Sequence, residues 1–206
     1  MMKVGVTGGI GCGKTIVCDI FKCLGIPVFN ADVEAKKIMN TKKILKALLK
    51  KEFGTKAFDK KNKLNQKYIA EIAFNKKEKL VKLNSIVHPF LFDVFFKWAE
   101  KQKTNYVILD AAIIFESKIN KKLDYVITVH APRALRIRRI MKRDNATKEN
   151  ILQRIKSQID DEKKVKLSDF VIYNDEKQMV IPQVLKILEK ITGKEKGKSI
   201  VNLVLK

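Results

Sequence analysis

A doubly wound α/β fold is what this 206-residue sequence predicts, and three observations carry that reading. Short β-rich apolar runs alternate with longer stretches of helical periodicity, the order expected of parallel strands joined by crossover helices. Most of these runs are continuously apolar rather than alternating, as strands covered on both faces should be. The third observation is GGIGCGKT at residues 8–15, a glycine-rich turn lying between the first apolar run and a helical pattern.

Taken in chain order, the predicted strands are residues 3–7 (KVGVT), 27–30 (PVFN), 106–110 (YVILD), 125–129 (YVITV) and 170–173 (FVIY). Between the second and third lies a long insertion, residues 40–103, whose apolar positions recur at helical spacing, as in ILKALL and YIAEIAF. A helical pair, residues 132–141 and 148–159, separates the fourth and fifth strands, and a last helix is expected over residues 178–191. Residues 193–206 form a tail, basic at first and then apolar, with no assigned role.

The chain is 46% hydrophobic, enough to bury one sizeable core. Its 44 Lys and Arg against 22 acidic residues give a formal charge of +22, a surface attractive to polyanions. The excess is diffuse and dominated by lysine, with 17 Lys against 6 acidic residues between positions 41 and 104, so a compositional bias accounts for it ahead of nucleic-acid binding. Cys12, Cys18 and Cys23 fit neither a paired zinc pattern nor an even disulfide framework, and free thiols in a reducing compartment are expected. With no leader-like start and no apolar run of membrane length, a soluble cytoplasmic protein is expected, monomeric or a small homo-oligomer.

GGIGCGKT fits G-x-x-x-x-G-K-[ST] through Gly8, Gly13, Lys14 and Thr15, and it sits after a predicted strand and before a predicted helix, where that motif works. Gly9, Ile10, Gly11 and Cys12 fill its variable positions. Such a loop turns consecutive N–H groups inward as an anion nest, backed by the positive end of the following helix. Lys14 then reaches the β/γ-phosphates of ATP, and the Thr15 hydroxyl, with water, ligates Mg²⁺. Cys12 reads as a small filler; a thiol lying instead beside bound phosphate would be shielded from alkylation by ATP.

Three further sites have two readings each. Asp32, just past the second strand, is placed either to take a proton from a hydroxyl nucleophile or to cap the next helix. Asp110, at the end of the third strand, either holds Mg²⁺ through water or caps the next segment of chain. Arg136, Arg139 and Arg143 fall at i, i+3 and i+7 on one helix face, either a solvated stripe or a lid that neutralises transferring phosphate charge. His88, followed by Pro89, reads as the start of a helix with proline at its first position. The aromatic run FLFDVFFKW, residues 90–98, reads first as core.

The chain resembles the dephospho-CoA kinase family in VGVTGGIGCGKT, LGIPVFNADVEAKKI, VHP, VILDAAIIFES, LDYVITV, RIRRIMKRDNATKENILQRIKSQ and LSDFVIYN, in that order along nearly its whole length. The resemblance implies a P-loop kinase core of five parallel strands flanked by helices, over residues 1–39 and 104–192, with a lid at about 132–160 and a helical CoA-binding subdomain over 40–103. It implies that ATP with Mg²⁺ phosphorylates the 3′-hydroxyl of dephospho-CoA. Asp32 matches the family's base; Lys14, Arg139 and Arg143 assist transfer. ATP would contact residues 9–15, Arg139 and Asn174, and the acceptor Thr7, Asp32, His88 and Asp110. The chain departs from the family at Asn30 (usually Asp), Phe92 (commonly Arg), Arg136 (usually Gln) and Glu176 (usually Gly). Rival readings are another P-loop small-molecule or nucleoside monophosphate kinase and a nucleic-acid-binding ATPase, which a panel of acceptors and the salt dependence of binding would separate.

Overall fold

Five strands form one parallel sheet in the computed structural model, which describes residues 1–75, 77–144, 147–156 and 158–193. They are β1 (Met2–Thr7), β2 (Val28–Asn30), β3 (Tyr106–Asp110), β4 (Tyr125–His130) and β5 (Phe170–Tyr173), ordered β2-β3-β1-β4-β5. Each expected strand is present, with ends differing by a residue. From β1 the chain moves to one side of the sheet and from β3 it returns to the other, so the order reverses beside the carboxyl end of β1. Ligands bind at such a switch point in open α/β sheets. The register aligns Val6 and Asn30 with Asp110, bringing the ends of three strands together there.

Both sheet faces are apolar because both are covered. Val4, Val6, Ile108, Ile127 and Ile172 pack against α1 (Lys14–Cys23) and α9 (Val180–Thr192). The opposite face, including Phe29, Val107, Leu109 and Val126, packs against α2 (Ala31–Thr41), α3 (Lys43–Phe53) and α5 (Lys77–Glu100). With α4 (Gln66–Asn75), the last two occupy the insertion, and Leu45, Leu49 and Phe95 belong to the same cluster as the strand residues. The insertion therefore shares its core with the sheet.

At Pro89 the structure corrects the sequence reading, because the proline lies inside α5 instead of starting a helix. Interior proline removes one helical hydrogen bond and costs about 3 kcal/mol. Val87, Leu91, Phe95 and Ala99, spaced four apart on both sides of it, are all buried in one cluster, and this packing outweighs the local break.

Between β4 and β5 run α6 (Arg133–Asp144), α7 (Lys148–Lys156) and α8 (Asp161–Leu167). The sequence reading had no α8. Asp160 caps it by accepting from the Glu162 N–H at 2.8 Å, and Asp161 and Glu162 sit in its first turn, a recognisable start signal. Among the described residues no helix is long and apolar enough to cross a membrane. The expected tail lies outside the described residues apart from Gly193.

Candidate active site

The chain leaves β1 at Thr7 and enters α1 at Lys14, and the loop between them lines a cavity of about 340 Å³. Its walls are the loop backbone from Gly8 to Thr15 together with Asp32, Ala112, Arg143, Arg154 and Gln158. Two of the glycines are fixed by geometry. Gly13 precedes α1 with φ 90°, and a Cβ there would overlap the amide of Asn174, which donates to the Cys12 carbonyl at 2.9 Å. Gly11 has φ 80°, and a Cβ would lie 2.8 Å from the Arg136 carbonyl.

Lys14, at the first position of α1, ion-pairs with the buried Asp110 at the end of β3. The other Asp110 oxygen accepts from the Asn30 amide at 2.9 Å, while the Asn30 carbonyl caps α2 by accepting from the Val33 N–H, also at 2.9 Å. Burial alone would lower the Lys14 pKa, but the Asp110 carboxylate beside it, with Asp32 adding, raises it instead. The ammonium is therefore charged throughout the neutral range.

Because Asn30 is the cap, the capping alternative for Asp32 falls away. Asp32 stands exposed in the first turn of α2, and its carboxylate has no hydrogen-bond or ion-pair partner among the described residues. It also borders a second, apolar cavity of about 130 Å³ lined by Met39, Leu83, Val87, His88 and Phe92. His88 packs on Phe92 with ring centroids 5.3 Å apart, and burial lowers its pKa, favouring the neutral imidazole.

From the helices between β4 and β5, Arg143 at the end of α6 reaches the cavity while its guanidinium holds Asp144 at 2.6 and 3.0 Å. Arg154 of α7 bonds the same carboxylate at 3.2 Å. Those two arginines hold the Asp144 carboxyl down to about 2. Arg154 and Gln158 both line the cavity and sequence reasoning had singled out neither, although Arg154 follows Arg143 by eleven residues within a matching block.

Not every expected site residue meets the cavity. Arg139 lies over the loop after β5, donating to the Asn174 carbonyl at 3.1 Å and pairing with Glu176 at 3.3 Å. Thr7 is buried and its hydroxyl donates to the Ala112 carbonyl at 3.1 Å. Asp110 lies behind Lys14, and His88 lines the apolar cavity and not this one. The structure thus gathers Gly9, Ile10, Gly11, Gly13, Lys14, Thr15, Asp32 and Arg143 around one space. Cys12 belongs to the loop, but its side chain is 2% exposed in the cluster under the sheet, and burial pushes its thiol pKa up. A buried thiol is what the filler reading expects.

The comparisons with known proteins agree with this geometry. A family model described as dephospho-CoA kinase matches residues 2–179. A dephospho-CoA kinase of Bacteroides fragilis is 36% identical over 188 residues, covering 91% of each chain. Another, from Fusobacterium nucleatum, is 35% identical over 175 residues, covering 85% of this chain and 90% of its own. Among solved structures, the dephospho-CoA kinase of Campylobacter jejuni superposes with a TM-score of 0.65 at 29% identity, covering 93% of this chain and 97% of its own. A glycine-rich loop opening α1, a carboxylate with no partner among the described residues and a matching family over nearly the full length converge, and this chain belongs to the dephospho-CoA kinase family.

Proposed function

We propose that the protein transfers the γ-phosphoryl group of ATP to the 3′-hydroxyl of dephospho-CoA, giving CoA and ADP. One observation carries the mechanism: the Asp32 carboxylate, without a hydrogen-bond or ion-pair partner among the described residues, stands where a cavity walled by loop amides and cations meets an apolar cavity. In phosphoryl transfer the protein's contribution is mainly positioning and charge neutralisation. The loop N–H groups and Lys14 hold the phosphates, and Asp32 orients the acceptor hydroxyl and takes its proton. Arg143 and Arg154 neutralise charge from the lid. The apolar wall of Met39, Leu83, Val87 and Phe92 receives the acceptor's less polar part.

The residues fit a divalent ion that arrives on the nucleotide. No group of three or more His, Cys, Asp or Glu side chains among the described residues forms a protein-only metal site, and Mg²⁺ is usually held by few protein ligands plus substrate phosphates. The Thr15 hydroxyl on the cavity wall would hold the ion, which would supply charge neutralisation for the transferring phosphoryl group. A cytoplasmic location suits a reaction fed by soluble nucleotides.

The test is an ADP-release assay with Mg²⁺ and ATP, offering dephospho-CoA, nucleoside monophosphates and shikimate in parallel. Turnover with dephospho-CoA well above the others is expected. Turnover with a different acceptor would leave the phosphate site standing and overturn the assignment of acceptor; failure to bind ATP would overturn both.

A further inference from the structure

The peptide of Ile10, at the tip of the phosphate loop, is gripped from two elements beyond the loop. Its carbonyl accepts from Arg136 Nε at 2.7 Å, and its N–H donates to Gln158 Oε1 at 3.2 Å. Arg136 belongs to α6 and Gln158 follows α7, so both grips come from the lid segment. The Arg136 side chain is almost wholly buried and its guanidinium also pairs with Asp161, at the start of α8. Gly9 lies directly against that pair, since a Cβ there would overlap both partners.

Peptide planarity turns these contacts into an orientation. In a trans peptide the C=O of one residue and the N–H of the next point in opposite directions, and no cis bond occurs among the described residues. The buried Arg136 is not among the residues lining the cavity, so its hold on the Ile10 carbonyl turns the Gly11 N–H of the same peptide toward that space. That N–H donates to no other described group, and Gly11 lines the cavity. The Ile10 N–H, by contrast, is already committed to Gln158.

We propose that Arg136 is a positioning residue for the phosphate loop: anchored on Asp161, it holds the Ile10 carbonyl so that the Gly11 N–H is aimed at bound phosphate, while Gln158 withdraws the Ile10 N–H from that role. This inference rests on the phosphate-binding reading above. It also gives a charged residue on the lid helix a function that does not require it to touch ATP.

The experiment pairs two variants with one measurement on the unmodified protein. In Arg136→Met, which loses the donor at similar length, affinity for ADP and KM for ATP should each weaken by about tenfold or more, the scale of a lost charge-assisted hydrogen bond. KM for dephospho-CoA should stay within about twofold. Arg136→Gln, whose amide still donates to the Ile10 carbonyl, should recover most of the ADP affinity. In the unmodified protein, amide NMR should show the Gly11 proton moving downfield on ADP addition while the Ile10 proton stays in place. Unchanged ADP affinity in a folded Arg136→Met, or Arg136→Gln as weak as Arg136→Met, would overturn the positioning role. Should Arg136→Met not fold, the amide shifts decide: ADP binding with Ile10 moving and Gly11 still would overturn the inference alone. If the unmodified protein shows no response to ADP, the functional reading fails and this one with it.

Discussion

The two cavities that meet at Asp32 are built in opposite ways. On the loop side directed polar contacts surround the cavity: Lys14 to Asp110, Asp110 to Asn30, Asn174 to the Cys12 carbonyl, and Ile10 to both Arg136 and Gln158. On the other side the wall is mostly aliphatic and aromatic, and most of it belongs to α2 and α5, which share the core of the helical insertion. A network of directed hydrogen bonds fixes geometry to fractions of an ångström, whereas apolar contact fixes shape and area. The contrast suits a reaction whose phosphoryl donor must be aligned with the attacking oxygen while much of the acceptor needs only to be seated.

Variants on either side of Asp32 sharpen or break that contrast. The largest effect should come from Asp32→Asn, which lowers kcat by about two to four orders of magnitude while ATP affinity stays nearly intact. A rate near that of the unmodified enzyme, in the same ADP-release assay, would remove the base from the mechanism. Next, Lys14→Met should reduce kcat/KM for ATP by about 10²–10³, and it also leaves the Asp110 carboxylate buried without its cation. Adding Asp110→Asn should recover thermal stability without recovering activity; recovery of both would mean that the ion pair is only structural. Phe92→Ala should be milder and confined to the other side, raising KM for dephospho-CoA by about five- to tenfold with KM for ATP unchanged.

The smallest effect concerns the arginines of α6 and α7. Asp144 is hydrogen-bonded by Arg143 and by Arg154, and its carboxyl is held at about 2 against an ordinary 3.8. A depressed folded-state pKa means the stabilisation is complete above 3.8 and is lost as pH falls toward 2. Because the cluster is solvent-exposed, it is worth about 1 kcal/mol or less. A carboxyl NMR titration should show the low value, and Arg143→Ala should move it upward; no movement would assign the effect to Arg154.

Much of this was legible in the sequence, for reasons that can be named. The strands were readable because a two-sided parallel sheet makes runs such as YVILD apolar throughout, and the phosphate loop because its glycines, lysine and threonine must occur at set spacings. Two elements were misread or passed over because tertiary packing decided them. Pro89 reads locally as a helix start, but Val87, Leu91, Phe95 and Ala99 share one buried face that runs past it, and no local rule weighs that burial. The short α8 carries an ordinary cap at Asp160, hidden by the expectation that the preceding helix simply ended. Within the site, Lys14 and Asp32 follow from motif and strand end. Arg154 and Gln158 do not, because their reach to the loop depends on how α7 folds back across it. The direction of Arg139 was equally out of reach, since Glu176 and the Asn174 carbonyl, more than thirty residues away, draw it aside.

The inward-facing Cys12 has a consequence for chemical resilience. A thiol in the middle of a nucleotide loop would ordinarily make an enzyme vulnerable to peroxide or maleimide, but this one is sealed in the hydrocarbon interior and stays protonated. Cys18 is buried too, its pKa pushed up to about 12 by burial and the nearby Asp110. Only Cys23, at the far end of α1, presents sulfur to the solvent, so oxidants should mark the protein there and leave its catalysis untouched.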